Sequence, residues 1–466
     1  MKPLAIFGTS SDVGKTSLVM ALCRIFVDQG LKVAPFKAQN VSNNSAVTPG
    51  GHEISRAQYF QAEMARVEPS YLFNPVLLKS QASNCVQVIV NGLVYKNQSI
   101  ATYYDEIEDF KSYVQDAFAQ LQQNYDLVVS EGAGSPVELN LLDRDLSNTF
   151  IANTFNTKII LVADIERGGV FASIYGTVAL MDPVMRKNLI GVVINKFRGD
   201  RRFFEEGEKI IRERFGIPVL GVLPFQPLNI DMEDSQSLDN YQQRLGSVKI
   251  KMGVIAYPGL SNYNDLDALM ADSEIYVELI YAYRSLNDFD MVLLPGSKTV
   301  ISDLQWLKKQ GLFKELQCFN KAIFGLCGGY QMLCESLHDP DGLEYDGPII
   351  ESGLGYIDDI VIYQSPKILQ CGYYQLFSHT AIKGYEIHSG RMGKYPLFNQ
   401  TGRSSGTHVH GIFDDDIFRS DYFKSINNHY QGFAYGEYRE SQIQAFINMV
   451  SENLDTATIL QSLQDD

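Results

Sequence analysis

One cysteine of this sequence lies among glycines and is a candidate for a catalytic residue. Cys327 lies in the segment Phe324-Gly325-Leu326-Cys327-Gly328-Gly329-Tyr330-Gln331-Met332, after an apolar run and before a stretch with helical periodicity. A tight turn between a strand and a helix exposes the side chain, and the helix dipole favours the thiolate. The segment therefore predicts a nucleophilic cysteine, with a buried structural cysteine as the alternative.

A thiolate nucleophile requires a base, and two histidines stand together near the end of the chain. His408 and His410 are predicted to lie on one face of a strand, and only one of them need be catalytic. Backbone N–H groups of Gly296 and Gly328, each after an apolar run, are predicted to bind an oxyanion. The sequence thus offers a nucleophile, a base and two oxyanion donors.

A glycine-rich loop near the N-terminus is the second candidate. The loop Gly8-Thr9-Ser10-Ser11-Asp12-Val13-Gly14-Lys15-Thr16 follows an apolar strand and precedes residues 17–26, which have helical periodicity. In such a loop the backbone N–H groups and the helix N-terminus bind phosphate, the lysine adds charge, and the Thr16 hydroxyl can ligate Mg²⁺. The predicted ATP-binding residues are Gly8, Thr9, Asp12, Gly14, Lys15 and Thr16. The spacing resembles that of dethiobiotin-synthetase-like enzymes.

Polar residues at the ends of three further apolar runs extend this candidate site. Carboxyl ends of parallel strands line a ligand crevice, so we predict Glu131 as a Mg²⁺ ligand and Asp164 as a ligand of magnesium, water or substrate. Loop capping is the alternative for both. Asn195 lies where a base-reading amide would sit, and Asn195-Lys196-Phe197-Arg198 lacks the aspartate of a guanine-reading motif. The predicted nucleotide is therefore ATP rather than GTP.

The charge of the chain restricts its partners. With 39 basic and 55 acidic residues the formal net charge is -16, which argues against a nucleic acid or an anionic membrane as the main partner. The N-terminus lacks a signal peptide pattern and no apolar run approaches membrane-spanning length, so we expect a cytoplasmic protein. The six cysteines form no Cys-x-x-Cys pair, and neither a zinc site nor a disulfide framework is indicated.

The pattern of the first half predicts the elements that must position the phosphate loop. Short β-branched runs alternate there with amphipathic stretches, which is typical of a doubly wound parallel sheet in an α/β fold. The predicted strands are residues 4–7, 32–35, 127–130, 158–163, 190–195 and 219–223. We assign residues 1–226 to this domain and the polar residues 227–247 to a linker.

A second alternation predicts a separate α/β domain over residues 248–455. It closes with a helix near 440–453, and residues 456–466 are expected to form a frayed acidic tail. Its predicted strands are residues 248–255, 291–294, 322–326, 356–363 and 407–410.

The cysteine turn and the segment His410-Gly411-Ile412-Phe413 resemble the class I glutamine amidotransferase family. By that match the catalytic pair is Cys327 and His410, and the second domain has the class I glutaminase fold. Most members of the family carry a glutamate two residues after the histidine, where this chain has Ile412. The third member of the triad is therefore missing or is supplied from elsewhere, for example by Asp414.

The fusion of a dethiobiotin-synthetase-like P-loop domain to a glutaminase resembles the corrinoid amide synthase family over nearly the whole chain. The segments that carry the resemblance are residues 8–17, 34–40, 53–58, 74–79, 131–136, 143–145, 164–173, 195–200, 294–298, 324–332, 384–388 and 410–413.

The resemblance implies glutamine- and ATP-dependent amidation of a corrinoid polycarboxylate, with ATP and Mg²⁺ at the loop. Residues 36–40 and 74–79 favour the branch that amidates the b, d, e and g side-chain carboxylates of adenosylcobyrinic a,c-diamide. The alternatives are the branch that forms cobyrinic a,c-diamide itself and a non-catalytic nucleotide switch. A homo-oligomer stays open.

An anionic corrinoid must be held by concentrated positive charge on this acidic chain. Lys37, Arg56 and Arg167 are the candidates, because each lies next to a predicted strand end or loop. Ordinary surface charge is the alternative for each of them. Asp145, with Asp143 beside it, is a further candidate for positioning carboxylates or accepting a proton from ammonia, and only the family resemblance favours it.

Overall fold

A six-stranded parallel sheet forms the centre of the N-terminal half. The computed structural model describes residues 1–81, 85–228, 230, 241, 243 and 246–464. The six strands confirm all six predicted runs. In spatial order they are Val219–Pro224, Leu189–Phe197, Lys158–Asp164, Leu4–Gly8, Leu127–Glu131 and Val33–Phe36.

Helices cover both faces of this sheet because its buried strands are apolar on both sides. Along the central strand Leu4–Gly8, Leu4 and Ile6 pack into one apolar cluster while Ala5 and Phe7 pack into another on the opposite face. This alternation is the two-residue period of a strand. The α-helices of this half are Lys15–Asp28, Arg56–Met64, Ile100–Asp105, Ile107–Asn124, Thr149–Phe155, Val170–Leu180, Pro183–Asn188 and Glu205–Phe215. The predicted doubly wound arrangement is confirmed.

Shorter strands that the sequence did not predict flank this core. Along the chain, one small sheet and one hairpin lie between the strand Val33–Phe36 and the helix Ile107–Asn124. The sheet comprises Gln39–Val41, Val76–Ser80, Cys85–Val90 and Leu93–Ser99, and the hairpin comprises Ser45–Val47 and Glu53–Ser55. The 3₁₀ helices of this half are Tyr71–Phe73, Leu142–Arg144 and Arg201–Phe204.

The C-terminal half has its own six-stranded sheet, which is parallel except for its last strand. The predicted strands at 291–294 and 322–326 are confirmed. In spatial order the strands are Ile275–Ile280, Ile250–Ile255, Met291–Leu294, Ala322–Leu326, Ser404–Thr407 and Phe398–Thr401. The prediction of a strand over 407–410 is wrong beyond Thr407, because the chain leaves the sheet there and only His410 forms a further isolated bridge, to Tyr385.

A four-stranded sheet and short helices complete the C-terminal half. The strands of this second sheet are Ile349–Ser352, Cys334–Asp339, Ile357–Leu376 and His379–Met392. The helices are Asp267–Ala271, Val300–Gln310, Leu312–Cys318, Gly328–Met332 and Asp416–Ile426, with 3₁₀ helices at Tyr263–Leu266 and Ile412–Asp414.

The last two helices of the chain pack against the N-terminal sheet. The predicted helix near 440–453 is present as Tyr435–Asn453, and its apolar face joins the same cluster as Leu4 and Ile6. The prediction of a frayed tail is wrong for residues 456–464, because Thr456–Gln464 is a helix whose Ile459 and Leu463 are buried in that cluster. Most of the predicted linker, 227–247, lies outside the described residues.

Within the described ranges, no helix combines the length and the apolar character that a membrane crossing requires.

Candidate active sites

The predicted phosphate loop joins the central strand Leu4–Gly8 to the helix Lys15–Asp28. Lys15 Nζ lies inside the loop and donates to the carbonyl oxygens of Ser10, at 2.9 Å, and Gly134, at 3.0 Å. Gly14 has φ 94°, and a Cβ there would lie 2.2 Å from Asn195 Nδ2. Glycine is therefore required at this position by both backbone conformation and space.

Two neighbouring strand ends brace the loop. Asn195 Nδ2 donates to the Val13 carbonyl at 2.8 Å, and Lys196 Nζ donates to the Asp12 carbonyl at 2.6 Å. Lys196 Nζ also lies 3.0 Å from Asp164 Oδ2. The structure thus brings Asn195 and Asp164 to the loop, although the contacts of Asn195 are with the loop backbone.

Glu131 is the centre of a buried cluster beside the loop. Its side chain is 1% exposed, and its Oε1 accepts hydrogen bonds from Thr16 Oγ1 at 2.8 Å and Lys37 Nζ at 2.7 Å. Its Oε2 accepts from Gln61 Nε2 at 2.7 Å. The adjacent Thr16 hydroxyl and carboxylate oxygens are hard donors of the kind that Mg²⁺ prefers, so this pair fits the predicted metal. Lys37 lies on the same oxygen, and its charge belongs to this site.

Other predicted substrate residues lie elsewhere. Asp145 accepts hydrogen bonds from the backbone N–H groups of Ser147, Asn148 and Thr149, at the turn that leads into the helix Thr149–Phe155. The Arg56 guanidinium lies over the Tyr59 ring, 5.2 Å from its centroid.

Cys327 occupies a strained turn between the strand Ala322–Leu326 and the helix Gly328–Met332. Its φ is 46°, in the left-handed region that side chains rarely adopt. The side chain is 5% exposed, and Sγ lies 3.8 Å from the Ile387 carbonyl. This geometry matches the predicted tight turn between a strand and a helix.

His410 is the histidine that faces Cys327. Its Nδ1 lies 2.6 Å from Asp265 Oδ2, and Asp265 Oδ1 accepts the Gly411 N–H at 2.7 Å. Burial lowers the pKa of His410, but the Asp265 carboxylate and the Cys327 sulfur together raise this pKa to about 10. The suggestion of Asp414 as third member is wrong for this contact, since Asp265 holds the imidazole.

His408 is engaged away from the nucleophile. It is fully buried, its Nδ1 lies 2.8 Å from the Pro396 carbonyl, and its Nε2 lies 3.2 Å from Gln331 Nε2. Its ring stacks on His388 at a centroid distance of 3.9 Å. Burial lowers the pKa of His408 well below its ordinary value, so this histidine stays neutral.

Both predicted oxyanion glycines lie against the catalytic pair. A Cβ on Gly296 would lie 3.1 Å from His410 Cε1, and a Cβ on Gly328 would lie 2.8 Å from the Ser297 nitrogen. Side chains are therefore excluded at both positions, which keeps backbone groups close to Cys327. Their use as oxyanion donors stays a prediction.

A buried charge cluster between the two halves has no counterpart in the sequence predictions. Glu53, 0% exposed, accepts from Lys79 Nζ and Lys367 Nζ, each at 2.8 Å. Lys79 belongs to the N-terminal half and Lys367 to the C-terminal half. Ser45 Oγ also donates to Glu53 at 2.8 Å. An ion pair of this burial ties the halves together.

Sequence reasoning missed Asp265, Asn262 and Gln61. Asn262 stands in a loop after the strand Ile250–Ile255, and Asp265 follows in the 3₁₀ helix Tyr263–Leu266. Neither directly follows a strand, so the strand-end pattern that indicates Glu131 and Asp164 does not indicate these two residues. Gln61 lies one turn beyond Gln58 on the helix Arg56–Met64, and helical spacing alone could have placed the two on one face.

Two family models match the chain. The CobQ/CobB/MinD/ParA nucleotide binding domain matches residues 4–238, and the CobB/CobQ-like glutamine amidotransferase domain matches residues 251–418.

Full-length relatives agree with these matches. The chain is 50% identical over 465 residues to the cobyric acid synthase of Acinetobacter baylyi, with all of both chains covered. It is 42% identical over 450 residues to that of Chlorobium phaeobacteroides strain BS1, with 90% of each chain covered. The cobyric acid synthase of Syntrophobacter fumaroxidans is 38% identical over 505 residues, with 98% of each chain covered.

Proposed function

Since this chain belongs to the cobyric acid synthase family, we propose that it amidates the b, d, e and g side-chain carboxylates of adenosylcobyrinic a,c-diamide, one glutamine and one ATP being consumed for each amide. The product is adenosylcobyric acid, an intermediate of cobalamin biosynthesis. The observation that carries the proposal is the presence of a Cys327–His410–Asp265 set and a Lys15–Thr16–Glu131 set in one chain.

Ammonia is released in the C-terminal half. His410 Nε2 takes the proton of Cys327 Sγ, and the thiolate attacks the side-chain amide carbon of glutamine. The same proton passes to the departing nitrogen as the carbon–nitrogen bond breaks, which leaves a thioester. Water then hydrolyses the thioester to glutamate. Asp265 orients the imidazole and stabilises its charge, and Gly296 and Gly328 supply backbone N–H groups to the oxyanion.

Carboxylate activation belongs to the N-terminal half. ATP supplies the phosphoryl group that turns a carboxylate into an acyl phosphate, leaving ADP, and ammonia then displaces phosphate to form the amide; Mg²⁺ would neutralise the phosphate charge. Gly8, Thr9, Asp12, Gly14 and Lys15 bind the phosphates, and Asn195 lies at the nucleotide end of the crevice. Thr16 and Glu131 would hold the Mg²⁺.

Positive charge beside the same crevice serves the anionic substrate. Lys37 lies 2.7 Å from Glu131 and supplies charge at the reacting carboxylate, while Asp164 and Lys196 border the loop. Arg56 lies over the Tyr59 ring, and Tyr59 packs with Tyr385 and Ile387 of the C-terminal half, so the Arg56 charge can hold a distal side-chain carboxylate there. Asp145 contributes indirectly by fixing the backbone of residues 147–149.

The test is to incubate the purified protein with ATP, Mg²⁺, glutamine and adenosylcobyrinic a,c-diamide and to count added amides by mass spectrometry. Four additions at the b, d, e and g positions are expected. Additions to cobyrinic acid at a and c would instead favour the related diamide-forming activity. Absence of any amide with either substrate, while ATP is bound, would contradict the proposal.

A further inference from the structure

A lysine and a glutamate lie beside the loop that carries Gly296, the predicted oxyanion donor. Lys298 stands two residues after that glycine, and its backbone N–H donates to the Gly259 carbonyl at 2.8 Å. Glu344 reaches the same segment, since its Oε1 accepts the backbone N–H of Val300 at 2.6 Å. Both side chains are half-buried, so part of each is open to a small molecule. Two opposite charges therefore belong to one short segment of the C-terminal half.

This segment packs against the turn that carries the nucleophile. A Cβ on Gly328, the residue after Cys327, would lie 2.8 Å from the Ser297 nitrogen. The hydroxyl of Tyr363 is within electrostatic reach of both sites, because burial first, and then anions that include Glu344 and Cys327, raise its pKa well above the ordinary value. The charged segment and the nucleophile thus lie in the same part of the molecule.

The two charges do not neutralise each other by contact. Among the residues that the structure describes, Lys298 Nζ has no ion-pair partner, and Glu344 accepts its hydrogen bond from the backbone. The Glu53 carboxylate also acts on Lys298. Its oxygens, however, are already engaged by Lys79 and Lys367, each at 2.8 Å. Lys298 and Glu344 are therefore within electrostatic reach of each other without forming an ion pair.

Burial leaves both of these charges incompletely compensated. It raises the pKa of Glu344 to about 7, although the Lys298 ammonium acts in the opposite direction. It lowers the pKa of Lys298, and Glu344 again opposes the change. Counter-charges supplied by a ligand would stabilise the charged form of each group. A ligand that supplies both carries a carboxylate and an ammonium group on adjoining atoms, which is the α-end of an amino acid.

Resting on the glutaminase activity proposed above, we propose that Lys298 and Glu344 form the specificity site for the α-groups of glutamine. Lys298 donates to the α-carboxylate. Glu344 accepts from the α-ammonium group through Oε2, while Oε1 stays on the backbone of Val300. The side-chain amide of glutamine, a short carbon chain away, then lies at Cys327. Such a site rejects primary amides that lack the α-groups, among them the amides that the N-terminal half forms.

Substrate analogues test each contact separately. Glutaramate has the side-chain amide and the carboxylate of glutamine but lacks the α-ammonium group, and the amide of γ-aminobutyrate lacks the α-carboxylate. Glu344→Gln removes the charge but keeps an oxygen for the Val300 N–H, and Lys298→Met keeps the length of the side chain without its charge. Ammonia release by the full-length protein gives kcat/KM for glutamine and both analogues. An analogue that turns over too slowly is compared by its inhibition of glutamine hydrolysis.

In the parent protein, loss of either α-group should lower kcat/KM by about 10–100-fold, the contribution of one hydrogen bond to a charged group. Glu344→Gln should lower kcat/KM for glutamine by this factor without lowering that for glutaramate, because glutaramate cannot make the contact. Lys298→Met should show the same relation between glutamine and the amide of γ-aminobutyrate. Lys298→Arg keeps the charge and should retain the preference for glutamine over this amide.

Lys308→Met is the matched control, because Lys308 pairs with Glu351 at the other end of the helix Val300–Gln310. It should leave the preference among the three amides as in the parent protein. The comparison is made between amides within one variant, so a partly unfolded preparation does not change it.

Equal losses for all three amides in Glu344→Gln and in Lys298→Met would indicate purely structural roles and would overturn the inference. A parent protein that uses the three amides equally well would also overturn it. Failure of the proposed amidation would appear differently, as absence of corrinoid amides while ammonia is still released from glutamine, because this assay requires neither ATP nor a corrinoid.

Discussion

The two candidate active sites are built from different kinds of structure. At the phosphate loop, Glu131 and Asp164 are the last residues of strands in a single parallel sheet, and Lys15 begins the helix after the loop that follows a third strand, Leu4–Gly8. At the cysteine, the nucleophile also follows a strand, but the partner of His410 is Asp265, from a 3₁₀ helix. The first site is thus assembled by regular topology, and the second depends on how an irregular loop packs.

The two sites should respond differently to substitution. Groups at strand ends are fixed by the backbone hydrogen bonds of the sheet, so changing one side chain leaves its neighbours in place. The Asp265 loop is held by individual side-chain contacts, including Asn262 to Ser45. Substitutions around the cysteine should therefore affect orientation and proton transfer as well as the atoms removed.

The largest losses of amidation are expected from substitutions of Cys327 and Lys15. The two should differ in whether ammonium salt can replace glutamine. Cys327→Ala removes the nucleophile, so glutamine-dependent amidation should fall by at least about 10³-fold while amidation with added ammonium salt persists. Lys15→Ala removes a charge from the phosphate loop, so amidation should fall by about 10²–10³-fold with either source. Amide formation with glutamine and with ammonium chloride measures both.

Each variant serves as the control for the other in this pair. Lys15→Ala should keep basal glutaminase activity, because the Lys15 ammonium group donates to carbonyl oxygens of the N-terminal half, those of Ser10 and Gly134. Loss of ammonium-dependent synthesis in Cys327→Ala would mean that the two sites do not act separately.

Asp265→Asn tests the irregular part of the second site. An amide cannot hold the Nδ1 proton as a carboxylate does, and the pKa of His410 would lose the charge that raises it. Glutaminase activity should fall by about 10²–10⁴-fold, measured as glutamate released. Asp414→Asn is the matched control and should lose less than about tenfold. Equal losses would return Asp414 to consideration as the third member.

The site at strand ends could be predicted from the sequence more fully than the site that depends on an irregular loop. All six strands of the first sheet could be predicted, because each is a short apolar run between amphipathic stretches. Cys327 and His410 could be paired by family resemblance. Asp265 could not, since an aspartate in a loop carries no period and no strand to place it. The final helix Thr456–Gln464 was missed because the acidic residues on either side of it, Asp455, Asp465 and Asp466, indicated a solvated tail, although Ile459 and Leu463 within it are apolar.

The buried charge cluster between the two halves could not be predicted from the sequence for another reason. Glu53, Lys79 and Lys367 are distant along the chain, and charged residues are ordinarily assigned to the surface. Burial of an ion pair becomes apparent only when both halves are packed. The same packing brings the Ser45 N–H to Asn262 Oδ1. The loop that carries Asp265 is therefore also held by the N-terminal half.

Glu53→Gln should be strongly destabilising because it leaves Lys79 and Lys367 buried without their carboxylate. Breaking a buried pair from one side costs about 3–5 kcal/mol, measured as the change in unfolding free energy in urea. Glu278→Gln, which breaks the half-exposed pair with Arg284, is the control and should cost about 0–1 kcal/mol. Similar costs for the two variants would mean that water reaches the interface cluster.

The smallest effect on catalysis is expected for His408. Both of its ring nitrogens are engaged, Nδ1 with the Pro396 carbonyl and Nε2 with Gln331, and burial keeps its pKa well below the ordinary value. It therefore has neither a free nitrogen nor a suitable proton affinity for the cysteine. His408→Ala should lower glutaminase activity by less than about tenfold while costing about 1–3 kcal/mol of unfolding free energy through lost packing and hydrogen bonds.

His410→Ala should show the reverse pattern, with glutaminase activity nearly abolished. A steady-state glutaminase assay and urea unfolding of both variants make the comparison. A loss of activity in His408→Ala as large as that in His410→Ala, with the fold intact, would reassign the base.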